Sequence, residues 1–127
     1  MAFEPMIFVD DVEATSAFLQ RLLSLKSAHG GKEYEMLVDA AGALVLQLHH
    51  ADAEEHGGAR LPAGAPRGAG VVLDVNVPDV RAAHANALAM GATCEGAPTY
   101  VPQARHTEFV VRDPDGYALA LYQRGQA

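Results

Sequence analysis

Phe8-Val9-Asp10-Asp11-Val12-Glu13-Ala14 and Asn76-Val77-Pro78-Asp79-Val80-Arg81-Ala82 are the stretches that decide the fold. Each leaves a short apolar, β-branched segment, passes an acidic residue and enters a helical pattern. A shift of 68 residues lays Val9 on Val77, Asp11 on Asp79, Val12 on Val80, Ala14 on Ala82 and Ala17 on Ala85. Further along, a shift of 73 lays Leu46 on Leu119 and Leu48 on Leu121, with the five extra residues falling around Pro98 to Gln103. Self-similarity on this scale implies two duplicated halves.

Working outward, Met6 to Val9 reads as a strand and Val12 to Leu23 as a helix. Asp10 is its expected cap, with Glu13 reaching back in a capping box. Val12, Phe18, Leu19, Leu22 and Leu23 recur at helical spacing. Glu33 to Val38 and Ala43 to His49 read as strands joined by a turn at Ala40-Ala41-Gly42. The second half opens with a strand from Val71 to Val77. A helix begins at Pro78-Asp79, with Val80, Ala83, Ala87 and Leu88 on its buried face, and Gly91 is placed to end it. A short strand from Ala92 to Glu95, a loop from Gly96 to Gln103 and a strand from Thr107 to Arg112 follow. Asp113-Pro114-Asp115-Gly116 is a turn in which Pro presets φ and Gly closes cheaply. Tyr117 to Gln123 is the last strand. Module one thus spans residues 4–50 and module two 70–123. The loop 51–69 carries Gly57-Gly58 and Pro62-Ala63-Gly64-Ala65-Pro66, and a loop this long inside a small domain suggests a lid over a ligand.

The chain has 127 residues, 50% of them hydrophobic and 20% charged, which suits a packed core and argues against a disordered chain. No apolar run approaches the ~20 residues of a membrane-spanning helix. Met1-Ala2-Phe3-Glu4 lacks the basic and apolar regions of a signal peptide, so a cytoplasmic protein with no membrane partner is expected. A net charge of -7 argues against nucleic acid and leaves room for a cationic small molecule. The single cysteine, Cys94, can form no internal disulfide and reads as a buried structural thiol. No nucleophile elbow, phosphate-binding loop or dinucleotide fingerprint is present, and no cofactor is expected.

The order βαβββ twice, the helix opened by Phe8-Val9-Asp10-Asp11, and Arg112-Asp113-Pro114-Asp115-Gly116-Tyr117 near the end together resemble the vicinal oxygen chelate superfamily. That group includes glyoxalase I, extradiol dioxygenases, fosfomycin-modifying enzymes and the bleomycin-resistance binding proteins. The resemblance implies an α+β fold in which two βαβββ modules form a curled mixed sheet with an open groove and helices outside. It also implies four metal-ligand positions, which here are Glu4, Gln47, Val72 and Ala120. Val72 and Ala120 have no donor atom, so no metal is expected.

Alternation along the strands assigns the groove face. Met6, Phe8, Val45, Gln47 and His49 fall on it in module one. Asp74, Asn76, His106, Glu108, Ala118 and Tyr122 do so in module two. His106 and Glu108, two apart on one strand, form a ligand-orienting pair, an acid/base pair, or an ion pair on a solvated face. His49-His50, Asp52, Glu54-Glu55 and His56 are dense in ligand types, but His49 and His50 point to opposite faces. The groove inventory favours a metal-free binding protein of the bleomycin-resistance type, sequestering a cationic or planar aromatic molecule. Its expected ligand contacts are Phe8, Gln47, His49, Asp74, His106, Glu108 and Tyr122, with no catalytic residue. The alternatives are a glyoxalase-like metal-dependent lyase, isomerase or dioxygenase, and a regulatory module with a vestigial groove. A homodimer is expected, because strand edges in so small a chain need cover.

Overall fold

A computed structural model describes residues 1–52 and 65–127. These fall into two compact units, Met1–Arg67 and Gly68–Ala127. The first unit runs β1 (Met6–Val9), α1 (Val12–Leu23), β2 (Lys26–Ser27), β3 (Tyr34–Val38) and β4 (Leu44–His50). The second runs β5 (Val72–Asn76), α2 (Val80–Ala89), β6 (Thr93–Val101), β7 (His106–Arg112) and β8 (Ala118–Arg124). Each unit holds one four-stranded mixed sheet, ordered β1-β4-β3-β2 and β5-β8-β7-β6. The class is therefore α+β, built from two βαβββ modules.

The duplication extends to the register. β1 pairs parallel with β4 so that Met6 faces Gln47 and Phe8 faces His49. β5 pairs parallel with β8 so that Asp74 faces Ala120 and Asn76 faces Tyr122, the same pairs after shifts of 68 and 73. Both helices start on an aspartate held in extended backbone. Asp11 accepts from the Ala14 N–H at 3.0 Å, and Asp79 accepts from the N–H groups of Arg81 and Ala82. Asp11, not Asp10, is thus the cap of α1. With Asp11 as cap, the third helical residue is Ala14, which has no side-chain acceptor, so the expected capping box does not form; Asp10 instead pairs with Arg67 at 2.8 Å.

In unit one, α1 covers Ile7, Val9, Leu37, Leu46 and Leu48 with Val12, Leu19 and Leu22, all buried. Phe18 is half-buried, and the helix instead buries Thr15 and Ser16. In unit two the buried apolar set is Val80, Ala87, Phe109, Val111, Tyr117, Ala118, Leu119, Ala120 and Leu121. Leu88 departs from expectation: it is 55% exposed, while its neighbour Ala87 is fully buried. Cys94 is half-buried rather than buried, and desolvation pushes its thiol above the ordinary range.

Two strands differ from the sequence reading. β2 is an addition of two residues, paired antiparallel with β3. β6 continues to Val101 where a loop from Gly96 is expected. Gly96 takes φ +75°, the register shifts between Glu95 and Thr99, and pairing with β7 resumes from Thr99 to Val101. Pro98 is tolerated because β6 is an edge strand and no ladder donor is needed there.

Candidate functional site

The sequence-assigned ligand face of unit one is Phe8, Gln47 and His49, and the structure brings these three to one side of the β1–β4 pair. β3 adds Tyr34, opposite His49 in register. The polar members are engaged internally. The Tyr34 hydroxyl donates to Gln47 Oε1, and Gln47 Nε2 donates to the Glu4 carbonyl at 2.9 Å. His49 is 4% exposed. Its Nδ1–H donates to the His50 carbonyl at 2.9 Å, and its ring meets Phe8 and Tyr34 edge-on, at centroid distances of 5.6 and 6.5 Å. Burial, then the charges of Glu4 and Glu35, raise the Tyr34 hydroxyl above its ordinary value.

Behind this face, against α1, lies a residue the sequence reading passes over. Glu35 is 3% exposed. Its carboxylate accepts from Ser16 Oγ at 2.9 Å, Ser27 Oγ at 2.7 Å and the N–H groups of His29 and Gly30 at 3.2 and 2.7 Å. Burial works to raise its pKa, but these hydrogen bonds outweigh burial and hold it below the ordinary value. The arrangement ties α1, β2 and the turn at His29-Gly30 to β3. Alternation along a strand marks which face a residue takes, but not the distant donors that satisfy it.

Unit two carries the more open face. Register places Asp74 and Asn76 on β5, Ala118, Ala120, Tyr122 and Arg124 on β8, and His106 and Glu108 on β7, all on one side. His106 Nε2 lies 2.6 Å from Glu108 Oε1, a charge-assisted contact when the imidazole is protonated. The His106 ring stacks on Tyr122 at 4.5 Å and 27°. Asp74 is exposed, with no hydrogen-bond partner among the described residues. Ala118 and Ala120 form an apolar floor beside it, and both are buried. The opposite side of this sheet packs on α2, where His84 meets Phe109 edge-on at 5.0 Å and is structural.

The four positions where the resemblance implies metal ligands do not suit a divalent ion. Val72 and Ala120 offer no donor, and both amide atoms of Gln47 are engaged as described. Among the described residues no three His, Cys, Asp or Glu side chains lie together as a cation cage. Of the histidine-rich set, His50 Nδ1 accepts from the Asp52 N–H at 3.1 Å, while Glu54, Glu55 and His56 lie outside the described residues. The expected lid falls mostly outside them as well. Its near end is described: the Ala51 N–H donates to the Val9 carbonyl at 3.0 Å. So is its far end: the Arg67 guanidinium donates to the Phe8 carbonyl at 3.4 Å.

The doubled βαβββ order and repeated register are matched by sequence comparison: residues 6–122 fit the glyoxalase-like domain. The chain belongs to that family, within the vicinal oxygen chelate superfamily. Solved glyoxalase-like folds share its architecture. A protein of unknown function from Agrobacterium tumefaciens str. C58 superposes with a TM-score of 0.76 at 22% identity, covering 97% of this chain and 94% of that one. An integron cassette protein from the mobile metagenome of Vibrio cholerae gives 0.73 at 20% identity, covering 97% and 95%. TioX from Micromonospora sp. ML1 gives 0.72 at 15% identity, covering 97% of each chain. Identities this low establish the glyoxalase-like fold alone. No curated protein matches the sequence. Among the described residues no helix is long and apolar enough to cross a membrane.

Proposed function

We propose that this glyoxalase-like protein is a binding protein that sequesters a planar, cationic small molecule without chemically changing it. The observation that carries the reading is the stacked His106–Tyr122 pair with Glu108 at its edge. Together they offer a flat π surface bordered by negative charge. Aromatic faces attract cations, and a net charge of -7 favours the encounter. Asp74 supplies a second, exposed carboxylate beside the small side chains of Ala118 and Ala120. In this reading Phe8, Gln47 and His49 shape the equivalent face of module one, and the protein acts in the cytoplasm as a homodimer. A glyoxalase-like lyase or dioxygenase is the weaker reading, because those chemistries draw on metal ligands that Val72 and Ala120 do not supply.

The test is a titration of the purified protein with ethidium, a planar aromatic cation, followed by dye fluorescence and by thermal shift. The absence of tryptophan from the chain keeps the optical background low. A saturable signal and a raised melting temperature are expected, since a ligand that binds only the native state stabilises it. No binding of ethidium or of other planar cations would overturn the reading.

A further inference from the structure

Arg124 ends β8 on the same face as Tyr122 and lies opposite His106 in register. Its guanidinium carbon stands 5.6 Å from the Tyr122 ring centroid. The side chain is exposed, and among the described residues it makes no hydrogen bond or ion pair with an acid. Its backbone is fixed, because the next residue is pinned on both sides. The Gly125 N–H donates to the Arg105 carbonyl at 2.9 Å, and the Gly125 carbonyl accepts from Thr107 Oγ1, also at 2.9 Å. A cation held within reach of the Tyr122 ring occupies the surface that a cationic guest would use.

We infer that Arg124 is a specificity-determining residue, a tethered cation that competes with the guest for Tyr122. The inference rests on the proposed binding function and deepens it. Guests with a delocalised, well-spread charge displace the guanidinium and keep both the ring and Glu108. Guests with a weak or localised charge fail to displace it. Arg124 therefore sets a threshold on the kind of cation retained.

Arg124→Gln, titrated with ethidium, tests this. An exposed cation–π contact corresponds to roughly a 2–5-fold change in dissociation constant, so the variant is expected to bind ethidium about that much more tightly. Lys32→Gln removes the same charge from the other module and is expected to leave the affinity within experimental error. In a Tyr122→Ala background the gain from Arg124→Gln should vanish. Unchanged or weaker ethidium binding by Arg124→Gln, with wild-type binding intact and Tyr122→Ala weakened, overturns the inference and leaves the binding function standing. A gain that survives Tyr122→Ala overturns it too, since the effect would then be charge alone. No ethidium binding by wild type or variant overturns the binding function and the inference with it.

Discussion

Asp39 and Asp113 hold the same turn in the two modules. Oδ1 of Asp39 accepts the N–H groups of Ala41 and Ala43, each at 2.9 Å. Oδ1 of Asp113 accepts those of Asp115 and Tyr117, at 2.9 and 2.8 Å. In each turn the glycine N–H, of Gly42 or Gly116, closes onto the aspartate carbonyl at 3.0 Å. The two sites differ in burial: Asp113 is 5% exposed and its Oδ2 has no hydrogen-bond partner among the described residues, whereas Asp39 is half-buried. Asp113→Ala is expected to cost about 1–3 kcal/mol, and Asp39→Ala about 1 kcal/mol or less, because buried donors left without an acceptor are the expensive ones. Urea unfolding of the two variants checks the order.

The carboxyl groups of Glu35 and Asp113 are shifted in opposite directions. The hydrogen bonds on Glu35 hold its carboxyl below the ordinary value, so its contribution is complete above about pH 4.3 and is lost as pH falls through the folded pKa. Burial, chiefly, raises the Asp113 carboxyl. Its charge therefore weighs against folding as pH rises from about 4 through the folded value. Glu35→Gln is expected to lose about 1–3 kcal/mol at pH 7 and to show a flatter decline in acid. Chemical denaturation between pH 3 and 7 reads both effects, and an acid limb unchanged by Glu35→Gln would refute the first.

On the ligand face, Tyr122→Ala is expected to weaken ethidium binding by about 1–3 kcal/mol, as for stacked aromatic groups generally. Glu108→Gln should weaken it less and make the affinity less dependent on salt. Titrations at two ionic strengths separate these effects. Unchanged affinity in both variants would move the site off this face.

Chelation is expected to leave the melting temperature of the purified protein unchanged, because Val72 and Ala120 bring no donor where the resemblance implies ligands. A drop of several degrees with chelator, restored by a divalent ion, would contradict this.

Light scattering at micromolar concentration is expected to give twice the 13.4 kDa of the chain. Each sheet ends on edge strands, β1 and β2 in one and β5 and β6 in the other, and such edges favour a symmetric partner. A monomer mass would sink the idea.

Much of the fold is legible in the sequence because the module is written twice. Each copy supports the other, and Asp11 and Asp79 mark the same helix start. Where two signals compete the reading slips. Asp10 and Asp11 both suit a cap, and the structure gives the Ala14 N–H to Asp11 and the Arg67 guanidinium to Asp10. Gly96 and Pro98 look like a loop, but an edge strand with a positive-φ glycine absorbs both. Of the candidate site, alternation finds the face that holds His106, Glu108 and Tyr122. It misses Arg124, because an arginine at the end of the last strand looks like ordinary surface. It misses Glu35 as a hub because the donors come from residues 16, 27, 29 and 30, which no periodicity links.

The alanine floor also bears on what this protein could become. An alanine codon is a single nucleotide from one for aspartate or glutamate. Ala120, directly across from Asp74, is thus one mutational step from facing that carboxylate with another. Two like charges side by side on a sheet repel unless a cation sits between them. Such a variant would be penalised until it captured an ion. The methyl group at position 120 therefore spares this face a second carboxylate directly across from Asp74.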